Sequence, residues 1–296
     1  MKPLVDTIII GGGAAGLAAA IVLARARRSV IIIDNQRQSN RVSHAAHGVF
    51  GFDTISPAEL YKNTREQLST YDSVCIIDAT VTNASRTDHA ITVSTDNKLT
   101  YTAHTLLLAQ GVTHALPDIP GLQEIWGTKA WHCPYCDGYE HRDEKLLVLT
   151  DSGGIDHMST ILPTWSTNLS YACPEDTISP VIAQRVKETG ASFVGAAVRI
   201  TPKPDSVHVV HENNIEHTYD SIVIGPSVKP RDDIATQLNC KLGENACVRH
   251  DKHGRTNQPG IYVAGDQAGG TQQVTVASAS GHLAAVAIHE DLASRF

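Results

Sequence analysis

The chain lacks any run of about 18 apolar residues, so nothing in it reads as a membrane span. It also lacks a basic surface: 24 Lys and Arg stand against 31 Asp and Glu, a formal net charge of -7. Binding a phosphate backbone needs cations that displace counterions, so nucleic acid is excluded as the main partner. The nearest thing to a basic cluster is Arg25, Arg27 and Arg28. It falls at the end of a helical pattern, where cations complement the negative end of the dipole. The early apolar run breaks at Gly11, Gly12 and Gly13, which does not fit a signal peptide, and a cytoplasmic protein is expected. The six cysteines, at 75, 133, 136, 173, 240 and 247, then do not read as structural disulfides. Four of them stand alone and are expected to be small buried hydrophobes.

What is present fits a folded protein. The hydrophobic share is 42% and the charged share 19%, ordinary globular usage. At 296 residues the chain accommodates about two domains of roughly 150 residues each. Leu4 to Ile10 is a short apolar β run, Ala14 to Arg28 an alanine-rich helix pattern, and Val30 to Ile33 another strand. Such alternation implies a parallel sheet covered by helices. Residues 75 to 108 read as a small antiparallel excursion, and Pro117, Pro120 and Gly121 mark a boundary. The strand-turn-helix theme restarts at Leu146 to Leu149, with a helix expected from about Asp156, and ends at the strand Ser221 to Ile224. A strand at Ile261 to Ala264 and a helix from about Val274 to Leu292 are expected to complete the first domain. The fold class expected is α/β, one domain inserted in another.

Two motifs carry chemistry. Gly11, Gly13 and Gly16 form G-x-G-x-x-G between a strand and a helix, with Asp34 ending the next strand. The glycines allow a tight turn and close approach to a pyrophosphate, the helix N-terminus attracts its charge, and Asp34 accepts from a ribose hydroxyl. The spacing does not choose between FAD and NAD. The second motif is Cys133-Pro134-Tyr135-Cys136-Asp137. Two cysteines at i and i+3 can close an easily reduced disulfide. Asp137 is placed to shuttle a proton to and from a thiol. No second C-x-x-C or H-x-x-H stands at ligand spacing, so zinc has little support and no metal is expected. Among 15 histidines, His44, His47 and His132 lie near motifs and are the candidate bases.

Gly11 to Gly16, Leu108-Ala109-Gln110-Gly111, Cys133 to Gly138 and Gly260 to Asp266 together resemble the ordered signatures of low-molecular-weight thioredoxin reductases, over nearly the whole length. The resemblance implies two Rossmann-like (three-layer ββα) domains. One is a split FAD domain at 1–115 and 246–296; the other is an inserted pyridine-nucleotide-like domain at 116–245 carrying the C-x-x-C. It implies FAD as cofactor, held by Gly11, Gly13, Ala14, Ala15 and Gly16, by Asp34, Asn40, Arg41 and His47, and by Ala109 and Gly111. Gly265, Asp266, Gln272, Gln273 and Val274 complete that set, with Asp266 on the ribityl chain and the two glutamines opening a helix that faces the flavin. A homodimer is also implied.

The departures carry information. The second glycine turn reads Leu149-Thr150-Asp151-Ser152-Gly153-Gly154, without its first glycine and with a carboxylate where pyrophosphate should approach. Where arginines hold a 2'-phosphate in NADPH-dependent relatives, this chain has Ala172-Cys173-Pro174-Glu175-Asp176. Loss of NADPH binding is expected. Ala46 to Gly51 and the segment Cys133 to Glu140 resemble the gliotoxin- and holomycin-type dithiol oxidase branch. That implies a small natural-product dithiol as substrate and O2 as acceptor, giving H2O2. Cys133 would be attacked by substrate, Cys136 would lie nearer the flavin, and Asp137, His132 and His47 would serve them. The alternatives are a disulfide reductase fed by NADPH or ferredoxin, and a flavin sensor or scaffold without turnover.

Overall fold

The computed structural model describes residues 4–294, which form two compact units. The first takes in the chain up to Arg41, Val49–Thr113, and the chain from Val228; the second takes in Val42–Gly48 and His114–Ser227. Both are mixed α/β and Rossmann-like. Among the described residues no helix is long and apolar enough to cross a membrane.

The first unit begins β1 (Val5–Ile10), α1 (Ala14–Arg25), β2 (Val30–Asp34), α2 (Pro57–Leu68), β3 (Val74–Asp78), β4 (Val81–Arg86), β5 (Ile91–Thr95) and β6 (Thr100–Leu108). The sheet order is β3-β2-β1-β6-β5-β4. β1, β2 and β3 run parallel, with Ile8 opposite Ile31 and Ile31 opposite Cys75. Only β4, β5 and the start of β6 form the antiparallel excursion. Cys75 to Ile77, expected within it, instead extends the parallel sheet, because a continuous apolar run pairs there as readily as an alternating one. α1 stops at Arg25, since Arg27 turns to φ 60° and sends Arg28 back to Asp6 at 3.3 Å. Ile8, Ile9, Ile32 and Leu106 to Leu108 are fully buried, each contributing about 1.5–3 kcal/mol of apolar burial.

The chain leaves through β7 (Val112–Ala115). The second unit holds β8 (Ala130–Trp131), α3 (Pro134–Asp137), β9 (Leu146–Leu149), α4 (Ser152–Ile161), β10 (Leu169–Tyr171), α5 (Pro180–Glu188) and β11 (Ser192–Phe193). β12 (Ala197–Pro202), β13 (Val207–His211) and β14 (Glu216–Tyr219) form an antiparallel meander, and β15 (Ser221–Ile224) rejoins the parallel sheet β11-β10-β9-β15-β8. α4 starts at Ser152, four residues before the expected Asp156, because Asp151 caps it.

The chain returns through β16 (Ser227–Pro230), α6 (Asp233–Gln237), β17 (Ile261–Val263) and α7 (Val274–Ala293). Residues 228–245, expected in the inserted segment, pack with the first unit: Ile234, Ala235, Leu238 and Cys240 join the core around Val93 and Leu106. Residues 1–3 and 295–296 of the expected split domain lie outside the described residues. β17 pairs with β6, and α7 lies against α1 so closely that a methyl at Gly281 would fall 2.0 Å from the Ala15 carbonyl oxygen. Of the four lone cysteines only Cys240 is buried; Cys75 is exposed, and Cys173 and Cys247 are half-buried. The expectation for those three fails because β3, a sheet edge, and the two loops leave them uncovered.

Candidate functional site

In the second unit, β8 ends at Trp131 and the chain turns into the single helical turn α3, with Pro134 at its first position, where a missing N–H costs nothing. Cys133 and Cys136 are joined as a disulfide, with Cα atoms 5.2 Å apart. The Cys136 and Asp137 amides both donate to the Cys133 carbonyl, at 2.9 and 3.0 Å. Gly138 has no room for a side chain, since a methyl would sit 2.4 Å from the Pro134 oxygen. Tyr135 and Tyr139 are exposed on either side of the second cysteine.

His47, distant in sequence, reaches this turn: its Nδ1 lies 2.7 Å from the Cys136 carbonyl oxygen. A carbonyl only accepts, so Nδ1 carries the hydrogen. The ring also lies 3.9 Å from Asp137 and 3.5 Å from Glu140. Burial pushes the Asp137 carboxyl above its ordinary range, against the pull of His47 and His141 and with a push from Glu140. His132 sits differently. Its ring packs 4.7 Å from His114 and 5.5 Å from Trp126, and burial, helped by His114, lowers its pKa to about 4. It is therefore an uncharged ring at neutral pH. His44 is exposed.

In the first unit, Gly11 has φ 105°, and a methyl there would fall 2.2 Å from the Ala109 oxygen; one at Gly16 would fall 1.9 Å from the Gly11 oxygen. At Gly13 a methyl would meet only Gln38, at 3.8 Å. Gly13 caps α1 with no side chain, and the first turn, Ala14 and Ala15 included, holds no acid, so its amides are free to face a phosphate. Asp34 is buried beside the turn and accepts from Gln38 and Arg65, both at 3.1 Å. Asn40 accepts from Tyr61 at 2.9 Å, and Arg41 donates to Gln38. Burial raises Tyr61 to about 12, so its phenol stays neutral. Gly265, at φ 71°, abuts Ala15, which brings the start of the Gly265–Asp266 turn to α1. Ala109 continues β6 and donates to Ile10 at 2.9 Å, and Gly111 turns at φ 69°. Gln272 precedes Gln273, which caps α7 through backbone alone, and Val274 begins that helix. These residues fit a dinucleotide: an uncapped helix start, a cradle that a methyl would fill, and a buried acid at the next strand end.

The second glycine turn is closed. Asp151 Oδ1 accepts from the Gly154 amide at 2.7 Å, so the carboxylate occupies the position at the start of α4 that a phosphate would take. Two cations of α5 are engaged, Arg185 with Asp156 at 2.6 Å and Lys187 with Glu175 at 2.5 Å.

Sequence reading missed Gln38, Tyr61, Arg65, Gln267 and His141. Gln267 is wholly buried, accepting from the Gln110 amide at 3.1 Å and donating to the Arg231 carbonyl at 2.6 Å, which fixes the loop after β6. Polar side chains of this kind carry no spacing signal. Only Arg65 offered one, as the basic residue in the last turn of a capped amphipathic helix.

A model of the pyridine nucleotide-disulphide oxidoreductase family matches residues 5–150 and 166–281. The chain is 30% identical over 306 residues to thioredoxin reductase tcpT of Claviceps purpurea, spanning 95% of this chain and 92% of that one. It is 25% identical over 307 residues to thioredoxin reductase aclD of Aspergillus oryzae, spanning 98% and 97%. Among solved structures, HlmI superposes with a TM-score of 0.94 at 28% identity, covering 99% of this chain and 94% of that one. An oxidoreductase from Agrobacterium tumefaciens superposes at 0.91 and 29%, covering 98% and 99%. The chain thus belongs to the pyridine nucleotide-disulphide oxidoreductase family, as a thioredoxin reductase-like enzyme.

Proposed function

We propose that the enzyme is an oxidase of small dithiols, closing a disulfide in a natural-product substrate at the expense of O2. Thioredoxin reductase-like members of the family are FAD flavoproteins, and FAD is the cofactor here. In this reading the first unit holds FAD, through the glycine turn, Asp34 and the start of α7, and the second unit is a nucleotide-type domain that has kept only its cysteine pair. The observation that carries the reading is Asp151 bonded to the Gly154 amide, which leaves NADPH no anion site on α4. We read the working form as a cytoplasmic homodimer, by likeness to the family.

The exchange balances. One substrate thiol attacks Cys133, forming a mixed disulfide and releasing Cys136 as thiolate; the second substrate thiol then displaces Cys133. The substrate leaves as a disulfide, and its two electrons remain on the cysteine pair. The two protons released are taken up beside the pair, where His47 and Asp137 stand. The glycine turn, Asp34 and the start of α7 would hold FAD, whose chemistry would be to pass the electron pair, with two protons, to O2 as H2O2.

The test is anaerobic: dithiothreitol added to the purified holoenzyme should bleach the flavin, NADPH should not, and air should restore the colour with one H2O2 per dithiol oxidised. Rapid bleaching by NADPH refutes the proposal. Bleaching by neither points to a protein donor such as ferredoxin.

A further inference from the structure

We propose that His141 is a positioning residue for the cysteine pair, clamped between Trp131 and Glu144 so that the loop carrying Cys133 and Cys136 is held at both ends. The inference rests on the reading that this pair and Asp137 carry the exchange. Trp131 lies two residues before Cys133 and His141 five after Cys136. Their rings stack face to face, 4.8 Å between centroids and 5° between planes. The loop is therefore bracketed by an aromatic pair.

A polar circuit closes around that stack. Trp131 Nε1 donates to Ser221 Oγ at 3.0 Å, Ser221 donates to Glu144 Oε2 at 2.7 Å, and His141 Nδ1 meets the same oxygen at 2.9 Å. Burial would raise the Glu144 carboxyl, but the hydrogen bonds from His141 and Ser221 outweigh it and hold the group below its ordinary range. An ionised carboxylate only accepts, so His141 donates from Nδ1. The circuit joins β8 and the turn after α3 to β15, where Ser221 lies 90 residues from Trp131 and 77 from Glu144.

Such a network is costly when any member is left unpaired and rigid when all are satisfied. None of its side chains is bonded to a cysteine sulfur. What it holds is residues 132 to 140, and it touches the chemistry through Asp137, whose carbonyl accepts from the His141 amide at 3.3 Å. The ionisable groups that act on the Asp137 carboxyl are His47, His141 and Glu140. Loosening His141 therefore changes both the geometry of the loop and the charge beside the acid.

The experiment uses holoenzyme and anaerobic reduction by dithiothreitol, followed across pH. His141→Phe keeps the stack and loses the hydrogen bond; it should slow reduction about tenfold, in line with the cost of misplacing reacting groups. The pH at which the rate rises should move upward, because Asp137 loses a neighbour that favours its ionised form. His141→Asn, which can still donate to Glu144, should recover part of the rate. Glu144→Leu, which removes the acceptor of His141 and Ser221, should resemble His141→Phe, and the double variant should be no slower than either, as for residues acting as one unit. A folded, flavin-loaded His141→Phe with wild-type rate and pH midpoint overturns the proposal, and so do effects that multiply. If His141→Phe does not fold, Glu144→Leu decides alone. If dithiothreitol fails to bleach even the wild type, it is the oxidase reading that fails. The clamp is then judged by iodoacetamide alkylation of the chemically reduced cysteines, where His141→Phe should again differ about tenfold and equal rates refute it.

Discussion

Replacing Asp151 separates two consequences of one carboxylate. Its Oδ1 accepts from the Gly154 amide at 2.7 Å and caps α4, and the same oxygen shuts the anion site. Losing an Asp cap to alanine costs about 1 kcal/mol, whereas glycine at the same place costs only a few tenths. For a unit of this size, 1 kcal/mol lowers the unfolding midpoint by roughly 2–4 °C. Asp151→Ala should show that drop in a thermal melt followed by tryptophan fluorescence, and Asp151→Gly should show less than half of it. Both variants expose the Gly154 amide and remove a negative charge, so both should allow slow flavin bleaching at high NADPH, absent from the wild type. The gain should stay small, because Arg185 and Lys187 remain paired with Asp156 and Glu175. An unchanged midpoint in Asp151→Ala refutes the capping argument. Wild-type bleaching by NADPH as fast as in the variants refutes the exclusion argument.

Three further outcomes are expected. Burial holds the Asp137 proton more tightly in the folded protein than in the unfolded chain, so the stability linked to this group is full below its ordinary value of 3.8. That stability is lost as pH rises through the raised native value. Asp137→Asn should therefore raise the unfolding midpoint at neutral pH while slowing reduction by dithiothreitol; a lowered midpoint contradicts the burial argument. With its pKa lowered to about 4, His132 should show proton NMR shifts that stay flat from about pH 5.5 to 9, and a titration in that window contradicts its packing against His114 and Trp126. Gly281→Ala pushes a methyl to within 2.0 Å of the Ala15 oxygen, so α7 must move off α1 at a cost of about 1–3 kcal/mol, with less FAD retained after purification. Wild-type stability and flavin content in that variant refute the close-packing account.

The parallel strands were readable in the sequence because burial on both faces writes a plain signal: Val30 to Ile33, Leu146 to Leu149 and Ser221 to Ile224 are short, largely apolar runs bounded by polar or glycine residues. The first glycine turn was readable because each glycine answers a steric demand that spacing records. α4 begins four residues before the helix the sequence suggests, because the Asp151 carboxylate, which opposes phosphate, is also a helix cap. His47 could be named only as one histidine near a motif; its bond to the Cys136 carbonyl spans 89 residues and exists only once the fold forms. His141 had no signal at all, since its stack with Trp131 depends on how β15 pairs with both β8 and β9, which brings Ser221 to Trp131 and to Glu144.

On the proposed reading, Asp151 also lets a nucleotide-type fold keep its shape without a nucleotide. The N-terminus of α4 presents unsatisfied amides and the positive end of a dipole, which favour an acceptor and above all an anion. A bound pyrophosphate meets that need only while the ligand is present. A carboxylate built into the chain meets it permanently, at the price of closing the site, so the unit no longer depends on ligand for that part of its stability. Once α4 is satisfied from within, the second unit retains one redox feature among its described residues, the Cys133–Cys136 disulfide, with His47 and Asp137 beside it. On the proposed reading, electrons reach the flavin through this unit as thiols.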